Sequence, residues 1–127
     1  MNDTLTPASV SSFSLDLDHA RATSTRRAEA LSPSHEIPST ARYWLSEDHR
    51  SGFGVTQDGT LIALFSLEKG RGDDLVTAAI AAGAKDLDCF DGYLVDFYAR
   101  HGFVETRREA NWTPGEPDVV FMARAAG

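Results

Sequence analysis

The stretch LDCFDGYLVDFYARHGF, residues 87–103, carries the pattern that decides the fold. It opens with a short apolar run typical of a buried strand, which breaks at an Asp-Gly pair of the kind common in turns. Apolar residues then recur at helical spacing, so that Leu94, Phe97 and Tyr98 share one side of a helix. Gly102 is a typical residue for a helix end. The stretch therefore predicts a strand, a helix of two to three turns and the start of another strand.

The chain as a whole is short and acidic. Its 127 residues carry a formal net charge of −7, and this length suits one domain with a real core. The predicted organisation is a flexible N-terminus over residues 1–12, rich in Ser, Thr and Pro, and a single domain over residues 13–127. The acidity argues against nucleic acid as a partner, because phosphate binding depends on clustered Lys and Arg. No apolar run reaches the roughly 20 residues that cross a bilayer, so no membrane partner is predicted.

The single cysteine and the four histidines give no sign of a metal site. Cys89 has no partner for an internal disulfide, and it lies in an apolar segment where a small core residue is expected. The histidines lack the spacing of metal ligands, so no metal is predicted. A chain without disulfides and without a secretory pattern at its N-terminus suits the reducing cytoplasm, which is the predicted location.

The remaining elements follow from turn residues and periodicity. Residues 51–70 predict a β-hairpin, because an Asp-Gly pair separates two β-type runs. A helix ending near Gly83 follows, then a strand, the helix described above and two closing strands; an early helix is also predicted over residues 13–31. The order from residue 52 is thus β-β-α-β-α-β-β. It predicts an α/β (α+β) fold with a mixed, mostly antiparallel sheet, a parallel pair in the middle and packed helices.

The segment FSLEKGRGDDLV, residues 65–76, predicts a buried strand that runs into a glycine loop and then a helix. Amides at a helix start lack internal partners and carry partial positive charge, so glycines there let a loop wrap around a diphosphate. Lys69 and Arg71 could add charged contacts. An ordinary strand–helix turn explains the same residues equally well. Asp73 and Asp74 in the first helical turn oppose phosphate binding unless their carboxylates point away.

The glycine loop and the tyrosine helix together resemble the GNAT superfamily of acyl-CoA-dependent N-acetyltransferases. In that family, Gly-x-Gly-x-x-Leu after a central strand cradles the coenzyme A diphosphate, and a later helix ends in Phe-Tyr, three residues and Gly-Phe. The matching residues are Gly70, Gly72 and Leu75 in the loop, and Phe97, Tyr98, Gly102 and Phe103 at the helix. Two positions depart from the family pattern: Asp91 stands where Asn is common, and Leu67 where Arg or Gln is usual.

The resemblance implies direct transfer of an acyl group, from acetyl-CoA, to an amine. It implies that Tyr98 acts on the leaving sulfur, a task suited to a phenol because its pKa of about 10 keeps it protonated. It also implies that the central parallel pair, residues 61–67 and 86–90, splays to admit the cofactor arm, and that amides near Ser66 and Leu67 hold the thioester oxygen. The predicted cofactor-binding residues are Ser66, Leu67, Lys69, Gly70, Arg71, Gly72 and Asp91.

A general base and an acceptor pocket are less well marked. Four titratable residues near the predicted site could pass a proton to water, and each is as well explained as solvated surface: Glu68, Asp88, Asp91 and His101. Positioning alone can accelerate such a reaction, so no base is assigned. Tyr43, Trp44 and Trp112 could line an acceptor pocket or belong to the core.

Three functions stay open at this level. The first is acyl transfer to a small-molecule or protein amine. The second is a catalytically inactive GNAT-fold binding module, which Leu67, Asp73 and Asp74 favour. The third is action on nucleic acid, against which the net charge argues. A homodimer is one open oligomeric state.

Overall fold

The computed structural model describes residues 5–23 and 34–124. The chain divides into two compact units, Met1–Ala84 and Lys85–Gly127. The single domain expected over residues 13–127 stays a prediction.

The described residues of the first unit form a four-stranded antiparallel sheet and two α-helices. The strands are β1 (Leu5–Ala8), β2 (Arg42–Ser46), β3 (Ser51–Val55) and β4 (Leu61–Ser66), and their order in the sheet is β1-β2-β3-β4. The helices are α1 (Val10–Ala22) and α2 (Gly72–Ala81), and a 3-10 turn occupies Ser34–Glu36.

Helix α1 covers one face of this sheet. Ser9 caps it by accepting a hydrogen bond at its Oγ from the Ser12 N–H, 3.1 Å away. Side chains spaced at helical intervals then turn inward and form a buried cluster with residues of β2 and β4: Phe13, Leu17, Ala20, Tyr43, Leu45 and Phe65. A Cβ added at Gly52 of β3 would lie 2.4 Å from the Trp44 carbonyl oxygen and 3.1 Å from the Phe13 ring. Close packing therefore excludes any larger residue at that position.

The structure differs from the sequence prediction at the N-terminus. Of the segment predicted to be flexible, residues 5–12 lie in β1 and the first turn of α1, and residues 1–4 lie outside the described residues. The helix predicted over residues 13–31 begins earlier, at Val10, because Ser9 supplies its cap. Residues 24–31 of that prediction also lie outside the described residues.

The predicted hairpin and the helix after it are confirmed. Strands β3 and β4 flank a turn in which the Gly59 N–H donates to the Thr56 carbonyl at 3.0 Å, and Gly59 takes the left-handed φ of +88°. Such a φ is accessible to glycine at little cost, which is why the Asp-Gly pair marks the turn. Helix α2 ends at Ala81, and the Gly83 N–H donates to the Ile80 carbonyl just beyond it.

The second unit contains a three-stranded antiparallel sheet and one helix. The strands are β5 (Asp86–Phe90), β6 (Phe103–Glu109) and β7 (Val119–Arg124), in the order β5-β7-β6, and α3 occupies Tyr93–Ala99. Its buried side chains are Leu87, Tyr98, Phe103, Val120 and Met122. The strand, helix and glycine predicted from residues 87–103 are confirmed.

The mixed α/β (α+β) class with packed helices is also confirmed. The predicted central parallel pair is not among the strand pairs of the described residues. All ladders among the described strands are antiparallel: β4 pairs with β3, and β5 pairs with β7. A splayed parallel pair formed by residues 61–67 and 86–90 therefore stays a prediction.

Candidate active site

The glycine loop joins β4 to α2. Gly70 has a φ of +85°, and a Cβ built on it would meet no heavy atom within 4 Å. Glycine is thus required here by the backbone conformation and not by packing. Arg71 is the N-cap residue of α2, and it makes no side-chain capping bond. Arg71 thus does not supply the capping bond that Ser, Thr, Asp or Asn gives at this position, and a helix start is a suitable place for an anion.

The acidic residues of this helix turn lie at its surface. Asp73 and Asp74 are both exposed in the first turn of α2. They favour the helix, because negative charge offsets the positive end of its dipole. They also lower the affinity of the same turn for a second anion, and water screening at these exposed positions weakens this repulsion.

Arg71, predicted as a cofactor contact, directs its guanidinium to the turn between β2 and β3. Its Nη1 and Nη2 atoms donate to the two carboxylate oxygens of Asp48, at 3.1 and 2.7 Å, and Nη1 also donates to Ser51 Oγ at 3.1 Å. The Arg71 side chain is 22% exposed and that of Asp48 37%. Hydrogen bonds from Arg71 and then from Ser46 hold the pKa of Asp48 well below its usual range.

Replacing Asp48 by Asn should make the protein less stable at neutral pH and have a progressively smaller effect in strong acid. The native pKa of this carboxyl is lowered, so its stabilising effect is present above the unfolded-state pKa and is lost as the pH falls through the native one. We expect a loss of about 1 kcal/mol at pH 7, since the pair is partly exposed and screened. Urea unfolding of both proteins from pH 7 down to 2 measures this, and the difference should begin to shrink only below about pH 4, near the ordinary carboxyl pKa. An equal difference between the two proteins at every pH would contradict it.

The end of β4 already uses some of the groups predicted to hold the thioester oxygen. The Leu67 N–H donates to the Arg50 carbonyl at 2.7 Å. The Ser66 hydroxyl donates to the Glu68 carbonyl at 2.6 Å and accepts from the Glu68 N–H at 3.1 Å. Lys69 is exposed beside the loop. Of the predicted basic contacts, Lys69 is thus the one that the structure places at the surface.

A β-bulge in β4 is a feature that sequence reasoning missed. Between Gly52 and Gly54 of β3 the register shifts, so one β3 residue faces two β4 residues, Ala63 and Leu64. Ala63 has a φ of +53°. This left-handed conformation costs a residue with a Cβ about 1 kcal/mol. Bulges re-aim backbone groups and are frequent beside active sites, but alanine gives no sequence signal for one.

Tyr98 is a buried residue of α3. The residue is 7% exposed, and its ring centroid lies 5.1 Å from that of Phe97 and 6.0 Å from that of Phe103. The phenol as a whole is therefore deeply enclosed. Burial raises the pKa of Tyr98 above its ordinary value. The phenol therefore keeps its proton across neutral pH and can donate it.

Asp91 lies between β5 and α3 and takes part in an ion-pair cluster. Arg108 Nη1 lies 3.1 Å from an Asp91 carboxylate oxygen and 3.5 Å from one of Asp118. The same guanidinium donates to both oxygens of Glu105, at 2.7 and 2.9 Å. The Asp91 N–H donates to the Asp118 carbonyl at 2.8 Å. Asp91 thus joins the start of α3 to β6 and to the segment before β7.

Beside Tyr98, strand β5 carries two titratable groups with raised pKa values. Desolvation, followed by the charge of Asp86, raises the pKa of Asp88, although this side chain remains exposed. Burial, and then the charges of Asp88 and Asp91, raise the pKa of the Cys89 thiol to about 11. Cys89 is half-buried, in keeping with a small core residue. A raised pKa makes Asp88 a better proton acceptor than an ordinary aspartate.

Two of the other base candidates have structural partners. Glu68 forms an ion pair with Arg50. His101 packs against Phe97 with ring centroids 5.5 Å apart, and its carbonyl accepts from Arg124 Nε at 3.2 Å. Within the described ranges, no group of three or more His, Cys, Asp or Glu side chains could hold a metal ion.

The three aromatic residues considered for an acceptor pocket do not share one surface. Tyr43 is buried on the α1 side of β2, where its hydroxyl donates to the Pro38 carbonyl at 2.6 Å. Trp44 points to the other face and stacks on Phe53, with centroids 5.1 Å apart. There it lines a shallow apolar groove with Leu5, Phe53, Ala78, Ala81 and Ala82. Trp112 is 84% exposed in the turn between β6 and β7.

Three of the solved structures similar to this chain match it over nearly the full length of both chains. A protein assigned provisionally as a phosphinothricin N-acetyltransferase has a TM-score of 0.64 and 16% identity, over 99% of both chains. A protein from Lactobacillus plantarum, assigned in the same way as an N-acetyltransferase, has a TM-score of 0.63 and 14% identity, over 99% of this chain and 100% of its own. Ard1 from Thermoplasma volcanium has a TM-score of 0.61 and 12% identity, over 98% of this chain and 97% of its own.

The chain has the GNAT fold. The resemblance drawn from the glycine loop and the tyrosine helix is thereby confirmed at the level of the fold. At these sequence identities the similarity shows a shared fold, and it does not transfer the site residues of the other proteins to this chain. No protein-family model and no curated protein matches the chain.

The helices of the described residues are short. The longest helix in residues 5–23 and 34–124, α1, has 13 residues, and no helix in these ranges is long and apolar enough to cross a bilayer.

Proposed function

We propose that the chain is an acyl-CoA-dependent N-acyltransferase that uses acetyl-CoA and transfers the acyl group directly to an amine. The observation that carries the proposal is the glycine loop between β4 and α2, in which Gly70 has a φ of +85°, in a chain with the GNAT fold. The neighbours of known fold are N-acetyltransferases by name.

The loop suits a diphosphate group on its own chemistry. The left-handed Gly70 has open space where a side chain would be, so a ligand can approach the backbone closely. Amides of residues 70–73 supply donors, and Lys69 supplies a positive charge at the surface. These groups would hold the diphosphate of coenzyme A. Bound acetyl-CoA supplies the thioester carbonyl and a thiolate leaving group.

Tyr98 is the proposed catalytic residue. Its Oη carries a proton at neutral pH, and its ring packs against Phe97 and Phe103. A fixed phenol can donate a hydrogen bond or a proton to the departing sulfur as negative charge develops there. The glycine loop belongs to the first unit of the chain and Tyr98 to the second.

The acceptor is proposed to be an amine, on a small molecule or a protein. The attacking nitrogen must lose a proton, and Asp88 has the raised pKa that this task favours. No residue is assigned as the base, because positioning of a neutral amine can suffice. A thiol-release assay with a panel of polyamines, amino acids and peptide N-termini would define the acceptor class.

Isothermal titration tests the cofactor. We expect coenzyme A to bind with a dissociation constant below about 1 mM, because the loop amides hold its diphosphate. Pantetheine, which lacks the phosphates, should bind at least about tenfold more weakly. Absence of heat with coenzyme A at millimolar concentration would overturn the proposal.

A catalytically inactive binding module is the second candidate. Three observations favour it: the Arg71 side chain is engaged by Asp48, the Leu67 amide by Arg50, and acidic residues occupy the first turn of α2. Native mass spectrometry of freshly purified protein separates the two functions, since retained coenzyme A supports the enzyme. The same spectrum reports any homodimer.

A further inference from the structure

The ion pair between Asp48 and Arg71 links two segments that are 23 positions apart in sequence. Arg71 uses both terminal nitrogens on the Asp48 carboxylate, at 3.1 and 2.7 Å, which is the paired geometry that makes such contacts strong and directional. A third hydrogen bond runs from Nη1 to Ser51 Oγ at 3.1 Å. These three hydrogen bonds fix the position of the guanidinium as well as neutralise its charge.

The Asp48 end of this pair rests on buried hydroxyl groups. Ser46 Oγ and the Arg50 N–H both donate to Asp48 Oδ1, at 2.7 and 3.1 Å. Ser46 and Ser51 are each only 1% exposed, and the Ser51 N–H donates to Ser46 Oγ at 3.1 Å. The carboxylate is thus held by the ends of β2 and β3, the best-buried part of the first sheet.

The Arg71 end of the pair lies inside the glycine loop. Arg71 stands between Gly70 and Gly72 and begins α2, since its carbonyl accepts from the Leu75 N–H at 3.0 Å. Gly70 next to it has no packing partner within 4 Å of a Cβ position. The side chain of Arg71 thus anchors the start of α2. Gly70, which has no side chain, cannot anchor the loop by packing.

We propose that Asp48 is a positioning residue that acts through Arg71 to hold the glycine loop in the conformation that binds the coenzyme A diphosphate. This inference rests on the proposed function and adds a residue to it. Arg71 serves in it as an anchor and not as a phosphate ligand. The phosphate contacts are then left to the loop amides and Lys69.

Arg71 could instead be a phosphate ligand, and this role predicts the opposite change in coenzyme A affinity when Asp48 is replaced. If Arg71 were a phosphate ligand, Asp48 would compete for it, and removal of the carboxylate would free the guanidinium and strengthen binding. If Arg71 is an anchor, removal of either partner loosens the loop and weakens binding. Lysine also separates the two roles, because it binds phosphate well as a point charge but makes no paired contact with a carboxylate.

A double-mutant cycle on coenzyme A binding tests the proposal. We expect Asp48→Asn and Arg71→Gln each to raise the dissociation constant about tenfold, and the double variant to bind no worse than either single one. Arg71→Lys should resemble Arg71→Gln. Binding of pantetheine, which carries no diphosphate, should be the same in all four proteins, and a general loss of folded structure would not spare it.

The matched control is Asp16→Asn. It removes a carboxylate that contacts the same turn through His49 Nδ1, at 2.7 Å, and it should leave coenzyme A affinity unchanged. Tighter binding by Asp48→Asn, rescue by Arg71→Lys, or additive losses in the double variant would overturn the anchor role. If wild-type protein fails to bind coenzyme A, it is the proposed function that fails.

Discussion

Tyr98→Phe should lower kcat for acyl transfer by about 10²–10⁴-fold and leave the affinity for coenzyme A unchanged. The substitution removes one oxygen, which is the proton donor, and keeps the ring that packs against Phe97 and Phe103. Because burial raises the pKa of Tyr98, the wild-type donor stays protonated up to alkaline pH. Its titration should therefore add no loss of kcat between pH 6 and pH 9, about one unit below the ordinary tyrosine pKa of about 10. Thiol release under saturating substrates measures kcat, and isothermal titration measures affinity.

The matched control is Tyr93→Phe. Tyr93 begins the same helix and is 71% exposed, so removal of its hydroxyl should leave kcat within about twofold of wild type. A Tyr98→Phe enzyme with unaltered kcat would remove the assignment of Tyr98 and leave the base and acid of the reaction open.

Phe13→Ala should destabilise the protein by about 4 kcal/mol, the range for loss of a buried phenyl ring. Phe13 is fully buried, and its ring centroid lies 4.6 Å from that of Tyr43 and 5.7 Å from that of Phe65. Its removal leaves a cavity between α1 and the first sheet, which close-packed neighbours fill only in part. Urea unfolding followed by circular dichroism measures the loss.

Leu15→Ala is the control for this prediction. Leu15 lies on the same helix but is 74% exposed, so its truncation should cost less than about 0.5 kcal/mol. A Phe13 variant as stable as the Leu15 variant would mean that α1 contributes little to the core.

The elements that could be predicted from the sequence are those with local signals. The turn at Gly59, the end of α2 before Gly83 and the end of α3 before Gly102 each follow from a glycine that takes a positive φ. Hydrophobic periodicity and turn residues are local features of the sequence, so they predict an element without knowledge of the rest of the chain.

The early strands lacked such signals. Strand β1 has only four residues and contains Pro7, and proline within a short run argues against a strand. The structure resolves this because β1 is the edge strand of its sheet, where a missing N–H need not break a ladder. Strand β2 is short as well, and it is defined by pairing with both β1 and β3.

The candidate site was predictable in its motifs and not in its contacts. Spacing placed Gly70 and Tyr98 on the right elements. The partner of Arg71 is Asp48, and that of Asp91 is Arg108, each more than a dozen positions away. Charged surface residues have many equivalent partners in a sequence, and only the folded chain selects one.

The half-buried thiol on β5 makes the protein convenient for spectroscopy. With a pKa of about 11, roughly one Cys89 side chain in ten thousand is a thiolate at pH 7, and thiolates are the form that maleimides and iodoacetamides attack. A cysteine introduced at an exposed position, such as Trp112→Cys in the turn before β7, would react far faster than the native one. A fluorophore or spin probe can therefore be attached at a chosen point without first replacing Cys89.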